Sequence, residues 1–392
     1  VYAFPIALRQ TCSYQSREEA ARPKKCEAVF GQDAVKMEYG TLRAVIEEIP
    51  MHLKASEKRT LGRTGLTVTA LGLGTAPLGG LYATVSRADA DALLEAGWDS
   101  GIRYFDSAPM YGYGRCEHLL GDMLREKNER AVVSTKVGRL MTNERAGRTL
   151  PPAPPKNPLD SGWHNGLNFR EVFDYSYDGV MRSFDDSQQR LGFPEIDLLY
   201  VHDIGRVTHA DRHEFHWNAL TKGGGFRALT ELRAAGNIKG FGLGVNEWQI
   251  IRDALEEADL DCSLLAGRYS LLDQVSEKEF LPLAQKRGMA LVIAGVFNSG
   301  ILAAPRGGEQ KFDYADAPAE IIARTNRLHD ICDEYHVPLA AAAMQFPMMH
   351  EAVSSILIGV RSPEQIRQNV VWFEQSIPDE FWTTLRSEGL IS

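Results

Sequence analysis

The stretch GIRYFDSAPMYGYG, Gly101–Gly114, decides how the chain is read. Its first half is apolar and short, the pattern of a buried strand. Its second half, with proline and two glycines, is a turn. An aspartate, Asp106, closes the strand, and a tyrosine, Tyr111, stands in the turn. A carboxylate at the end of a buried strand needs a partner, and the phenol just beyond it needs a reason to be there.

Working outward, the same unit recurs. Short apolar runs at 68–74, 102–107, 131–137, 196–202, 238–245, 262–269, 290–296 and 354–358 make eight strand candidates. Amphipathic segments lie between them, at 86–100, 115–126, 172–191, 227–235, 247–258, 277–287, 319–335 and 363–373. Apolar strands alternating with helices imply a parallel sheet covered by helices. Eight repeats predict an α/β fold closed as a (β/α)8 TIM barrel. The competing open, doubly wound sheet would carry GxGxxG after its first strand; here GLGTAP lacks the third glycine. Before the first unit, RTLGRTGLTVTALGLGT reads as a hairpin feeding a strand. Long connections follow strands three, four and seven, at 138–171, 203–226 and 297–318. In a barrel these crowd the C-terminal face, where they form substrate walls or lids.

Under this assignment Asp106, Lys136 and His202 end strands two, three and four, and Tyr111 follows strand two. Parallel strands point those ends to one face, so the four converge. Each alone has a plain structural reading: a surface charge, a core histidine, a packing tyrosine. Together they form a proton-transfer set. A phenol titrates near pH 10 in water, and a neighbouring ammonium lowers that value. Aspartate makes the buried ammonium tolerable. Histidine can orient an oxygen or relay a proton. That set suits an alcohol oxygen whose carbon gives or takes a hydride.

A second cluster, IGVRSPEQIRQNV at 358–370, starts a helix just after strand eight, with Ser362 as N-cap and Pro363 at the first position. With GVFNSGIL at 295–302 it predicts a phosphorylated-cofactor site, since barrel loops seven and eight commonly hold phosphate at a helix N-terminus. Ordinary capping explains Ser362 and Pro363 equally well when they are read alone.

The 392-residue chain is 44% hydrophobic and 24% charged, with a net charge of −9, ordinary for a globular enzyme acting on a small molecule. The charge argues against nucleic acid, and no apolar run is long enough for a membrane span. Five scattered cysteines without a CxxC pair, and ten histidines without HExxH, give no disulfide framework or metal site and fit a reducing, cytoplasmic setting. Nothing in the pattern sets an oligomeric state. Residues 1–50 lack strand or helix periodicity. They read as a poorly ordered extension that need not be native, Met51 standing just before the patterned domain 51–392.

The runs LGRTGLTVTALGLGTAPLGG, FDSAPMYGYGRCEHLLG, VVSTKVG, DLLYVHD and GVRSPEQIRQN, in that order over about 59–388, resemble the aldo-keto reductase superfamily. The resemblance implies a nicotinamide cofactor bound without a Rossmann fold. It also implies a catalytic tetrad of Asp106, Tyr111, Lys136 and His202, with Tyr111 as general acid or base. Cofactor contacts are implied for Gly74, Thr75, Asn246, Tyr269, Phe297, Asn298, Ser299, Gly300, Leu302, Gly359, Arg361, Gln365 and Asn369. DYSYDGVMRSFDDSQQRLG, VHD and LLAGRYSLLDQ are similar to a smaller branch of aldose 1-dehydrogenases, L-fucose dehydrogenases and pyridoxal 4-dehydrogenases, which use NAD to oxidise a cyclic hemiacetal to a lactone. Two departures bear on the cofactor. Ala266 replaces the glutamine that holds the carboxamide in many members, leaving Asn246 as a substitute. Gly359 and Gln365 replace the lysine and arginine that grip the 2′-phosphate, so NAD is expected over NADP, although Arg361 is near.

The leading expectation is therefore an NAD-dependent aldose dehydrogenase, with pyridoxal oxidation as the alternative within the branch. An NADPH-dependent carbonyl reductase and a non-catalytic nucleotide-sensing barrel stand behind it. A sugar needs polar partners and pyridoxal a flat apolar slot; Trp163, His164, His209, His213, His216 and Trp217 could supply either.

Overall fold

The computed structural model describes residues 53–81, 83–143 and 162–392. The 1–50 segment and the proline-rich part of the third connection lie outside the described residues.

Eight parallel strands close into a barrel in sequential order: β1 (Leu71–Gly74), β2 (Tyr104–Asp106), β3 (Val132–Val137), β4 (Leu198–His202), β5 (Gly240–Val245), β6 (Cys262–Ala266), β7 (Ala290–Ala294) and β8 (Val353–Ile358). β8 pairs with β1, Ile356 opposite Leu71, which completes the ring and excludes the open sheet. Seven strands lie within their expected segments, and β8 begins one residue ahead of its own, at Val353. The expected hairpin is present as Lys58–Thr60 against Thr67–Thr69. Its Leu61 and Val68 plug the barrel floor and pack with Tyr104, Leu198, Tyr200, Val292 and Leu357 in the interior. A closed barrel leaves no sheet edge, but its bottom needs such a cover.

The outer ring comprises α1 (Arg87–Asp99), α2 (Arg115–Arg125), α3 (Tyr177–Leu191), α4 (Gly225–Ala234), α5 (Trp248–Ala254), α6 (Leu281–Lys286), α7 (Ala319–Tyr335) and α8 (Pro363–Glu374). Caps set their starts: Ser86 accepts from the Asp89 amide at 3.1 Å, and Ser176 from that of Gly179 at 3.2 Å.

Three differences from the pattern have physical causes. The helix expected from 172 begins at Tyr177, because Arg170–Phe173 pairs as a strand with Arg139–Thr142 and Ser176 then caps. The 277–287 segment is two short helices that meet at Phe280, just before Pro282. Leu339–Gln345 is an extra helix whose seven residues are all buried; a segment apolar on every side has no amphipathic period to read.

The long connections acquire structure of their own. That after β3 carries the Arg139–Thr142/Arg170–Phe173 ribbon, and that after β4 carries short helices at Arg206–His209 and His213–Leu220. The ribbon departs from β3 at Gly138, whose φ is +98°. A Cβ there would come within 2.2 Å of the Tyr175 ring. Gly138→Ala combines left-handed strain with overpacking. It should lower stability by roughly 2–4 kcal/mol in urea unfolding, with the loss confined to stability if the barrel itself is intact.

Candidate active site

Asp106 is the last residue of β2, opposite Gly74 on one side and Ser134 on the other. Its carboxylate points inward and is buried. Lys136, two residues beyond Ser134 on β3, reaches across to it: Nζ donates to Asp106 Oδ2 at 2.6 Å and to the Ser107 carbonyl at 2.9 Å. Ser134 Oγ donates to the other carboxylate oxygen at 2.7 Å.

The turn after β2 brings Tyr111 over this pair. Met110 is followed by Tyr111, then by three residues at positive φ: Gly112 (+60°), Tyr113 (+52°) and Gly114 (+99°). A Cβ on Gly112 would meet the Gly79 Cα at 2.8 Å, so the close approach of these loops requires glycine. The Lys136 ammonium then lies 4.7 Å from the Tyr111 ring centroid. His202, which ends β4, meets the same ring edge-on at 5.8 Å between centroids. All four side chains named from the sequence converge at the C-terminal mouth of the barrel.

Burial and charge pull in opposite directions here. Burial weakens the Lys136 ammonium, but Asp106 and Tyr111 outweigh it and raise its pKa, so the lysine is held charged. Burial raises the Tyr111 phenol, and Lys136 pulls it back only in part. The net direction is therefore up, not down as the lysine alone would dictate. Burial, then Arg139 and Lys136, hold His202 well below the ordinary imidazole value, so it is neutral. With a charged lysine and a neutral imidazole beside it, the phenol can give one proton to an oxygen placed between tyrosine and histidine, and its phenolate, which the lysine favours, can take one back.

From Tyr111 a cleft of about 960 Å³ extends past the ends of β6, β7 and β8 to the start of α8. Among residues expected there, Gly74, Asn246, Phe297, Asn298, Ser299, Gly300, Gly359, Arg361, Gln365 and Asn369 line it. Thr75 and Leu302 are fully buried behind it. Tyr269 is buried against Phe346, with ring centroids 5.1 Å apart. Asn246 donates to the Ala266 carbonyl at 3.2 Å, so the two positions that share the carboxamide question are joined. Pro77, Gly267 and Gly295 on the wall lie inside motifs quoted from the sequence but were not singled out there, and Lys311 and Trp372, which belong to no motif, were missed.

The far end suits a phosphorylated group. Asn298, Ser299 and Gly300 run at positive φ, the Asn298 and Gly300 amides donating to the Gly295 and Phe297 carbonyls. Ser362 caps α8 by accepting from Gln365 N at 3.3 Å, and the Gln365 side chain accepts from Arg361 N at 2.8 Å. That helix start faces the cleft, and its dipole favours an anion.

The loop residues divide. Trp163 stacks obliquely on Tyr111, centroids 5.6 Å apart, at the mouth. His209, His213 and His216 are buried instead. The His209 and His216 rings lie 4.1 Å apart among Phe173 and Tyr175, and the Tyr175 hydroxyl is 2.9 Å from His209 Nε2. Trp217 packs on Phe226, and the His164 amide donates to Gly80. No cluster of three metal-ligating side chains, and no helix long and apolar enough to cross a membrane, occurs among the described residues.

Comparison with known proteins agrees with this geometry. The family model described as "Aldo/keto reductase family" matches residues 70–388. A pyridoxal 4-dehydrogenase from Microbacterium luteolum is 98% identical over 342 residues, 87% of this chain and 100% of that protein. A D-threo-aldose 1-dehydrogenase from a Pseudomonas species is 38% identical over 343 residues, 86% of this chain and 99% of the other. Among solved structures, an aldo-keto reductase from Bacillus halodurans superposes with a TM-score of 0.64 at 23% identity, covering 86% of this chain and 97% of its own.

The buried histidines make stability depend on pH. Burial brings His209 down to about 3 and His216 to about 4, against about 6.5 in an unfolded chain. Both states are neutral above the unfolded value. Below it only the unfolded chain takes up protons, so stability falls as pH drops from about 6.5 towards about 4. Urea midpoints should decline over that window, and His216→Phe should make the decline shallower.

Proposed function

The chain belongs to the aldo/keto reductase family, and we propose that within it the protein is an NAD-dependent dehydrogenase that oxidises the hemiacetal form of pyridoxal to a lactone. The observation that carries this reading is the 98% identity to a pyridoxal 4-dehydrogenase across that protein's full length. The aldose reading, placed first on sequence pattern, rests on a relative at 38% and gives way. Trp163 supports the choice. An indole beside the reacting phenol offers a flat face to an aromatic ring, whereas three of the four histidines that a sugar could have used, His209, His213 and His216, are buried in the loop wall.

Members of this family use a nicotinamide cofactor, which when bound supplies the hydride acceptor. The cleft residues that would hold it are Asn246 and Ala266 near Tyr111, and Ser299, Gly300, Arg361 and Gln365 at the α8 end. With Gly359 and Gln365 at the positions expected to grip a 2′-phosphate, and Lys311 already paired with Asp316 at 2.5 Å, NAD is preferred over NADP.

The chain's own residues then divide the proton work. Tyr111 accepts the hydroxyl proton of the hemiacetal carbon. The Lys136 charge favours the phenolate that makes this possible, and Asp106 holds the lysine where it acts. Neutral His202 orients the reacting oxygen against Tyr111. Because burial otherwise raises the phenol, loss of the lysine charge would leave the base inaccessible at neutral pH.

Tyr111→Phe should lower kcat by about 10³-fold or more while leaving cofactor affinity, read by nucleotide fluorescence quenching, nearly unchanged. Retained activity would sink the assignment. NADH absorbance should rise with NAD and pyridoxal and stay flat with L-fucose, D-arabinose and other aldoses. An aldose-only signal would reverse the choice of substrate. Trp163→Ala should raise KM for pyridoxal roughly tenfold with kcat little altered, as loss of one aromatic contact worth about 1–1.5 kcal/mol requires.

A further inference from the structure

Behind the four side chains of the proton site lies a buried cation whose presence they do not explain. Arg139 opens the ribbon just after Gly138, with 2% of its surface exposed. Its guanidinium reaches three different segments. Nη2 donates to Asp203 Oδ2 at 2.5 Å, and Nη1 donates to Glu171 Oε2 at 2.7 Å. Nη1 also donates to the Met110 thioether, 2.7 Å from Sδ. Asp203 is the residue after His202, Met110 is the residue before Tyr111, and Glu171 belongs to the other strand of the ribbon. The Phe173 ring packs against the guanidinium, its centroid 4.9 Å from Cζ.

Stability is a poor reason for this arrangement. Desolvation offsets most of the attraction in a buried ion pair, and Arg139 Nε is left buried with no hydrogen-bond partner among the described residues. Placement is a better reason. Tyr111 and His202 meet at 5.8 Å between centroids, and Arg139 joins a chain neighbour of each. Asp203, at a φ of +46°, also sets a negative charge close to the ring, with Oδ2 3.4 Å from His202 Nε2. An anion there draws a proton onto imidazole unless a cation balances it. We infer that Arg139 is a positioning residue for the proton site: its guanidinium ties the residue before Tyr111 to the residue after His202, which fixes the gap between the two rings, and it balances the Asp203 carboxylate beside the imidazole.

The inference rests on the proton-transfer reading above, and the groups around His202 agree with it. Lys136 comes from β3 and is paired with Asp106; Tyr111 comes from the turn after β2. Arg139 and Glu171 come from the ribbon, and Asp203 from the end of β4. Tyr175 donates its hydroxyl to the His202 carbonyl at 2.7 Å. Burial, then Arg139 and Lys136, keep the imidazole neutral. The two parts of the role call for different properties of the side chain. Any cation in that place would balance Asp203, but only a planar fork spans Met110, Glu171 and Asp203 at once.

Substitution separates the two parts. His202 protonation is followed by carbon-13 NMR of histidine-labelled full-length protein, with His202→Gln to assign the signal. Turnover is followed as NADH formed from NAD and pyridoxal. The wild-type ring should stay neutral down to about pH 6. Arg139→Met should move its titration midpoint above about 6.5, because Asp203 is left unbalanced. Arg139→Lys should keep the ring neutral and the melting temperature within a few degrees, yet lower kcat about 10–100-fold with KM changed little, as misplaced reacting groups require. The triple variant Arg139→Met, Glu171→Gln, Asp203→Asn removes the charges together and leaves none buried alone. It should fold even if Arg139→Met does not, keep His202 neutral, and remain slow. Wild-type kcat in Arg139→Lys or in the triple variant would overturn the inference, as would an unchanged His202 titration in Arg139→Met. The NMR measurement needs no substrate, so it stands if the pyridoxal assignment fails.

Discussion

The buried ion pair between Lys136 and Asp106 is the constraint on which the rest of this structure depends. Neither charge is affordable alone at that depth, since removal of one partner from such a pair costs about 3–5 kcal/mol. Their 2.6 Å contact crosses from β3 to β2, so it forms only if the strands are parallel, adjacent and in register. The pair also reaches down into the barrel. Asp106 bonds Ser134, Ser134 Oγ lies 3.3 Å from the Tyr104 hydroxyl, and Tyr104 lies 3.1 Å from that of Tyr200. A polar column thus runs through an interior otherwise filled with leucine and valine. Its members satisfy one another, which is the condition for burying them at all.

The same pair explains why the site is built from strand ends and not from loops. A phenol used as a base at neutral pH must sit close to a fixed positive charge, yet burial works against the phenolate. Strands hold the lysine still, and a turn with three consecutive left-handed residues drops the tyrosine onto it. Rigidity is supplied by β2, β3 and β4, while the ribbon and helices beyond them add Trp163, Arg139 and the histidine cluster around the mouth. Chemistry and substrate choice are therefore carried by different parts of the chain, as the barrel architecture permits.

That division also explains what was legible in the sequence. The eight strands read clearly because a parallel barrel strand is a short apolar run with no competing period. Asp106, Lys136 and His202 stood out because each is an ionisable residue at the end of such a run. Leu339–Gln345 did not read as a helix, being apolar on all sides. The ribbon at Arg139–Thr142 and Arg170–Phe173 was hidden because its strands are separated by a long connection and pair only with each other. Tyr269 and the pairing of His209 with His216 depend on packing across loops, which no local spacing encodes. The net rise in the Tyr111 pKa was hidden for a related reason: burial is a property of the assembled site, whereas the lysine is visible in the chain.

Substrate choice follows from these limits. A sugar hemiacetal and the hemiacetal of pyridoxal present the same carbinol to Tyr111 and His202, so the four strand-end and turn residues cannot separate them. What separates them lies where the two molecules differ, on the side of the ring away from the reacting carbon. This chain sets the Trp163 indole beside the phenol, and His209 and His216 turn inward to pack on Phe173 and Tyr175. The connection after β3 and the loop after β4 meet at one hydroxyl: Tyr175 donates to the His202 carbonyl at 2.7 Å and lies 2.9 Å from His209 Nε2, which holds the end of the strand that carries His202.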